Sequence, residues 1–170
     1  IIVTKNGRDV AKIVRCEPET ALEEAEEYRT RGEWVTYEEF LELVENSEQR
    51  FELIDGVVYY MASPSYKHQL VVSELIAAFR AWFKGKQCST LTAPFDVTLT
   101  KSPSNICVVQ PDIVVLCDKE NIDERGRYMG VPALVVEVLS PGTRSKDLLK
   151  KLNLYHECGI REYWIVDPDK

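Results

Sequence analysis

No stretch of this chain approaches the roughly 20 consecutive apolar residues of a membrane-spanning helix, and no signal-peptide pattern is present. Cysteine never occurs as a C-x-x-C pair. Cys16, Cys88, Cys107, Cys117 and Cys158 are scattered and odd in number, which speaks against a disulfide framework or a zinc site and predicts free thiols in a reducing cytoplasm. Positive charge is in deficit, 21 Lys and Arg against 28 Asp and Glu, and the net charge of −7 argues against a broad, non-specific nucleic-acid surface. A local basic groove stays open, because Lys101, Arg125, Arg127, Arg144, Lys146, Lys150 and Lys151 flank the apolar runs described next. Internal repeats and an initiator Met are also missing, and the chain stops at Asp169-Lys170 just after an apolar run, so trimming at one or both ends is expected. What is present is 170 residues, 45% hydrophobic and 29% charged, enough for one domain with a real core.

Two apolar runs organise the chain, Val108 to Leu116 and Leu134 to Leu139. Short β-branched runs bounded by Pro, Gly and Ser fit buried strands better than helices. Each run carries one carboxylate, Asp112 and Glu137, where a buried strand would favour another Val. Side chains alternate along a strand, so Glu137 shares a face with Val135 and Leu139, and Asp112 with Gln110 and Val114. If the strands are neighbours, the two acids meet. At about 4 Å and an effective dielectric near 20, two unit charges repel by roughly 4 kcal/mol. A shared proton, a cationic partner or a bound metal ion would have to offset that repulsion.

The chain in order begins with alternation around Lys5-Asn6-Gly7-Arg8, a hairpin signal. Glu19 to Arg31 reads as an acidic, solvated helix. Thr36-x-x-Glu39 is a capping box opening a helix through Val44. Arg50 to Met61 reads as a hairpin turning at Asp55-Gly56. From Tyr66 to Lys84, Val71, Val72, Leu75, Phe79 and Trp82 repeat with helical period, and His68 falls on the same inward stripe. Phe95 to Thr100 is a short strand and Asp118 to Val131 a polar connection. Ser140-Pro141-Gly142-Thr143 turns into a helix from Ser145 to Cys158, ended by Gly159. Glu162 to Asp167 is the last strand, giving a right-handed strand–helix–strand unit with parallel strands.

Helix, three-strand meander, helix and strand, with acids on the second and third strands, resembles the core of the PD-(D/E)XK nucleases. Pro111-Asp112 stands as the "PD", and Glu137-Val138-Leu139 stands where (D/E)-x-K is expected. The chain resembles more closely the Uma-two family of restriction-endonuclease-like proteins. The likeness is carried by Phe51-Glu52-Leu53-Ile54-Asp55-Gly56, His68, Pro111-Asp112-Ile113 and Val136-Glu137-Val138-Leu139-Ser140-Pro141. It continues through Thr143-Arg144 with Asp147, Lys151-Leu152 with Tyr155, and Gly159 to Pro168. The resemblance covers about Thr36 to the end, which divides the chain into an N-terminal arm, 1–33, and a nuclease domain, 34–170. Within the arm, Val3 to Ala11 resembles the small hairpin of Phd/YefM-type antitoxins.

What the resemblance implies is an α/β (mixed α+β sheet) restriction-endonuclease-like fold and a metal-dependent endonuclease hydrolysing DNA. Asp112 and Glu137, with the backbone carbonyl of Val138, would hold Mg²⁺ or Mn²⁺. Leu139 replaces the motif lysine, and the superfamily allows that lysine to migrate to the following helix. Taking Leu148, Leu152 and Tyr155 as the buried stripe of that helix, Lys151 lies about 60° off its centre and Lys150 nearly opposite. Lys151 is therefore the candidate cation. Glu52 would be a further ligand or hold a water, and His68 would order a carboxylate or contact phosphate. The alternative is a nuclease fold without turnover, serving as a DNA-binding or toxin–antitoxin-type regulatory module. Expected partners are DNA and a second copy of the chain in a homodimer or higher oligomer, with no membrane.

Overall fold

The run Val108 to Leu116 is two strands in two different sheets, parted by Gln110-Pro111-Asp112. Proline has no N–H to give a sheet and belongs at strand ends, so Pro111 marks where the chain leaves one sheet for the other. The computed structural model describes residues 34–140, 142–144 and 146–170, together with the backbone of three short strands nearer the N-terminus. Those are β1 (Ile2–Lys5), β2 (Arg8–Lys12) and β3 (Glu27–Tyr28). β1 and β2 pair antiparallel, with Lys5 opposite Arg8. The Asn-Gly turn expected between them lies outside the described residues. β3 corrects the acidic helix at two positions: Glu27 and Tyr28 pair with Tyr59 and Val58 at a sheet edge, and the rest of that segment lies outside the described residues.

From Trp34 onward the elements are α1 (Tyr37–Glu45), β4 (Phe51–Ile54), β5 (Val57–Tyr60), α2 (Tyr66–Phe83), β6 (Ser89–Thr92), β7 (Val97–Ser102), β8 (Asn105–Val109), β9 (Ile113–Leu116), β10 (Leu134–Val138), a π-helical turn (Lys146–Lys151), α3 (Leu152–Glu157) and β11 (Glu162–Val166). Local chemistry explains several boundaries. The Thr36 hydroxyl accepts from Glu39 N–H at 3.3 Å while the Glu39 carboxylate accepts from Thr36 N–H at 2.8 Å, closing the capping box of α1. Asp55 and Gly56 both have positive φ, +50° and +70°, which the tight β4–β5 hairpin requires. The Trp34 ring lies against Gly56 so closely that a Cβ there would meet it at 2.3 Å. Gly159, at φ +78°, ends α3.

Two sheets result. A four-stranded sheet has the order β11-β10-β9-β6, and a five-stranded sheet has the order β3-β5-β4-β8-β7. In the four-stranded sheet β6, β9 and β10 are antiparallel neighbours, and β10 and β11 run parallel across α3. The meander is therefore β6, β9 and β10, with the β7–β8 hairpin inserted between its first two strands. Ser89–Thr92 forms a strand although its sequence, poor in large apolar residues, gives no strand signal. One face of this sheet packs Val72 of α2 against Ile113, Val115, Val136 and Val138. The opposite face packs Val114 and Val135 with Leu154 and Tyr155 of α3 and with Val97, Leu99 and Val109 of the five-stranded sheet. α1 covers the far side of that second sheet, where Phe40 packs with Phe51 and Leu53 of β4 and Val108 of β8.

Two side-chain expectations are corrected. Trp82 is 68% exposed at the last turn of α2, where the Lys86 ammonium sits 3.7 Å from its ring centroid. Cys88 and Cys117 form a disulfide, because β6 and β9 pair Ser89 with Leu116 and so set the flanking cysteines opposite one another. Cys107 and Cys158 are free thiols, and Cys16 lies outside the described residues. Among the described residues no helix is long and apolar enough to cross a membrane.

We propose that residues 34–170 fold without the arm, since among the described residues β3 adds two residue pairs at an edge strand. A chain shortened to begin at Trp34 should show one cooperative thermal transition at little-changed temperature by circular dichroism. Loss of that transition would assign β3 a part in the core.

Candidate active site

Glu137 is the buried carboxylate around which the other groups gather. It lies on β10 on the face of Val135, toward α3, and is 3% exposed. The antiparallel pairing of Val136 with Ile113 brings Asp112, one residue before β9, alongside it. Asp112 Oδ2 accepts from the Val138 backbone N–H at 2.7 Å and pairs with His68 Nε2 at 3.1 Å. His68 is held one turn into α2, whose N-cap Ser65 hydroxyl accepts from the His68 N–H.

The cations come from the π-helical turn. Lys151 Nζ lies 2.7 Å from Glu137 Oε1, 2.8 Å from Glu52 Oε1 and 3.7 Å from Asp147 Oδ1. Tyr155 donates its hydroxyl to Glu137 Oε1 at 2.9 Å. Glu52, on β4 of the other sheet, is fully buried and accepts from Gln110 N–H at 2.9 Å and from Lys146 Nζ at 2.6 Å. Lys150 is exposed and bonds the Tyr59 hydroxyl. The structure thus brings Asp112, Glu137, Lys151, Glu52 and His68 to one place and leaves Leu139 buried at the motif-lysine position, its N–H bonded to Val166 O at 2.8 Å. Lys146, Gln110 and Tyr155 complete the cluster; the sequence offers Lys146 only as one of the flanking basic residues and Tyr155 only as part of the motif series.

Electrostatics follow from three buried carboxylates sharing two ammonium groups. Burial raises the Glu137 carboxyl from its ordinary 4.5 to about 8; Lys151 opposes this, and Asp147, Asp112 and Glu52 add to it. Burial also raises Asp147, against the pull of Lys151 and Lys146. Glu52 moves the other way: burial penalises its charge, but Lys151 and Lys146 together override that and hold it ionised. The hydrogen bond to Asp112 raises His68, against its burial. Lys151 stays charged well above its ordinary range, since Glu137 and Glu52 outweigh its burial.

These shifts have a sign. Glu137 ionises near 4.5 when unfolded and about 8 when folded, so the folded state holds the extra proton between those values. Its contribution to stability is complete below the lower value and is lost as pH rises through the upper one. Asp147 and His68 act in the same direction. In EDTA, the melting temperature should fall between about pH 5 and about pH 8, and Glu137→Gln should flatten that slope. A slope equally steep in the variant would place the titration elsewhere.

A cleft of about 740 Å³ opens onto these groups, lined by Asp112, Glu137, Val138, Gln110, Lys146 and Lys151 among others. Its donors suit a hard divalent cation. Asp112 Oδ1 and Glu137 Oε2 take no hydrogen bond among the described residues, and Gln110 Oε1 is buried without a partner. No three His, Cys, Asp or Glu side chains converge as a ready cage among the described residues. Two carboxylates, a backbone carbonyl and waters are nonetheless a set that Mg²⁺ accepts.

A mixed sheet of order β11-β10-β9-β6, with a helix on each face, one acid on β10 and another just before β9, defines a restriction-endonuclease-like fold. The crystal structure of a putative nuclease belonging to DUF820 from Anabaena variabilis shares it, with a TM-score of 0.62 and 24% identity over 79% of this chain and 75% of that one. The chain belongs to the Uma2 family, described as "Putative restriction endonuclease", whose model matches residues 37–170. It is also 29% identical over 130 residues to an uncharacterized protein of Synechocystis sp., spanning 76% of this chain and 66% of that protein's length.

Proposed function

We propose that this chain is a metal-dependent endonuclease hydrolysing phosphodiester bonds in DNA. The observation that carries this reading is the Lys151 ammonium, which reaches Glu137 at 2.7 Å from the helix although the motif position itself is Leu139. Asp112, Glu137 and the Val138 carbonyl would hold Mg²⁺ or Mn²⁺, which would supply Lewis acidity toward a phosphate oxygen and a bound water of lowered pKa. Lys151 stabilises charge developing on the phosphate. His68 keeps Asp112 turned toward Val138 by its hydrogen bond.

A specific observation supports a second reading. Lys151 is held between two carboxylates, as suits a nuclease fold that binds DNA, or regulates in the toxin–antitoxin manner, without cleaving it. Incubating plasmid and oligonucleotide DNA with Mn²⁺ separates the two. Nicking that EDTA abolishes supports the enzyme. Salt-sensitive binding without cleavage across several divalent metals, undiminished by Glu137→Gln, supports the binding module.

A further inference from the structure

Lys146 and Lys151 lie five residues apart and grip the same carboxylate. Glu52 Oε2 takes Lys146 at 2.6 Å and Glu52 Oε1 takes Lys151 at 2.8 Å. In an α-helix, residues five apart diverge by about 140°, so one ordinary turn could not deliver both ammonium groups to one buried acid. A π-turn closes i→i+5 hydrogen bonds, which brings such residues nearer to one face, and it is a rare turn that frequently occurs at functional sites. Here it spans Lys146–Lys151, and Lys146, Asp147 and Lys151 are all buried on its inner side.

The hydrogen-bond distribution shows what the second lysine does. Glu52 accepts from Gln110 N–H, Lys146 Nζ and Lys151 Nζ, which leaves it no oxygen free of a donor. Glu137 keeps Oε2 and Asp112 keeps Oδ1 clear of the described donors. Were Glu52 balanced by Lys151 alone, it would compete with Glu137 for that ammonium. With Lys146 on its other oxygen, Glu52 is already matched, and Lys151 is shared toward Glu137.

We propose that Lys146 and Glu52 form an internal anchor brought together by the π-turn, which positions the Lys151 ammonium on Glu137, and that Glu52 is a positioning residue and not a metal ligand. The proposal rests on the nuclease reading only for the role given to Lys151; the anchor itself is a matter of hydrogen bonding. Lys146 touches neither Glu137 nor Asp112 within hydrogen-bond distance, so its influence passes through Glu52.

Three readouts on the full chain test it. In protein carrying ¹⁵N-lysine, the buried Lys151 ammonium should exchange its protons slowly, and Lys146→Met and Glu52→Gln should each accelerate that exchange and shift the signal. Lys146→Arg, which keeps the charge on Glu52, should restore it. Glu52→Gln keeps the shape and an acceptor oxygen, so it decides the matter if Lys146→Met does not fold. A Lys151 signal unchanged in both variants overturns the anchor.

In calorimetry, Mn²⁺ should bind Glu52→Gln as it binds the wild type; weakening equal to that of Asp112→Asn makes Glu52 a ligand and overturns the proposal. In single-turnover cleavage, Lys146→Met should lower the rate roughly tenfold to a hundredfold through misplacement of Lys151, with KM unchanged. In a Lys151→Met background it should cost nothing more, and an independent, multiplying loss overturns it. Ammonium signals behaving as stated in a protein that cleaves nothing would remove the nuclease reading and leave the anchor standing.

Discussion

Lys151→Met should lower DNA cleavage by roughly a hundredfold or more, the scale expected when a preorganised charge facing the transition state is removed. Lys150→Met should leave cleavage near the wild-type level. The two residues are adjacent and chemically identical, and only their placement differs. Lys151 is buried between Glu137 and Glu52, whereas Lys150 is exposed and bonded to the Tyr59 hydroxyl. The loss will also be felt in stability, because breaking a buried pair strands its partners at about 3–5 kcal/mol. The raised Glu137 carboxyl can keep a proton and soften that cost. Rates should therefore be measured by single turnover well below the melting temperature of each variant. Equal losses from both lysines would mean a diffuse electrostatic effect on DNA binding and would remove the specific role of Lys151.

Glu137→Gln and Asp112→Asn should each weaken Mn²⁺ binding by more than about tenfold, the loss that outer groups of a metal site alone can cause. Cleavage should fall to background in both. Neither change should unfold the protein. The amide that Glu137→Gln introduces would still accept from Tyr155 and Lys151 through its oxygen, and the amide of Asp112→Asn can still accept from Val138 N–H. Glu137→Gln also removes the repulsion from Asp147 and Asp112 that burial makes costly. Isothermal titration with Mn²⁺, alongside a nicking assay, measures both effects. Undiminished affinity in the two variants would take the metal away from this pair of strands.

Legibility in the sequence tracked how local the cause was. Thr36 and Glu39 announced the start of α1, because a capping box is written within four residues. The Asp55-Gly56 turn was readable for the same reason. Glu137 stood out as an acid in a β-branched run and is buried where alternation put it. The division of Val108 to Leu116 between sheets was signalled by Pro111, but the β-branched residues on both sides of it read as one strand. Cys88 and Cys117 are 29 residues apart, and only the register of β6 on β9 shows that they face one another. Helical phase at 100° per residue turned Lys151 inward but left Lys146 only as one of several flanking basic residues, because the pitch changes to a π-turn through those very residues. Glu52 lies 85 positions from Glu137, and nothing local foretold that two lysines would meet it.

The crossing at Gln110-Pro111-Asp112 makes the two sheets share a wall. On its two sides the chain offers Gln110 N–H to Glu52 and the Asp112 carboxylate to Val138, from positions two residues apart. A lineage of such proteins could lengthen the β7–β8 hairpin or decorate an outer strand and so reshape what enters the cleft, without touching the chemistry. The joint has no such latitude. Adding or removing one residue there would turn Asp112 away from β10 or pull Gln110 off Glu52. Change at the rim and constancy at the seam are what descent should have left behind.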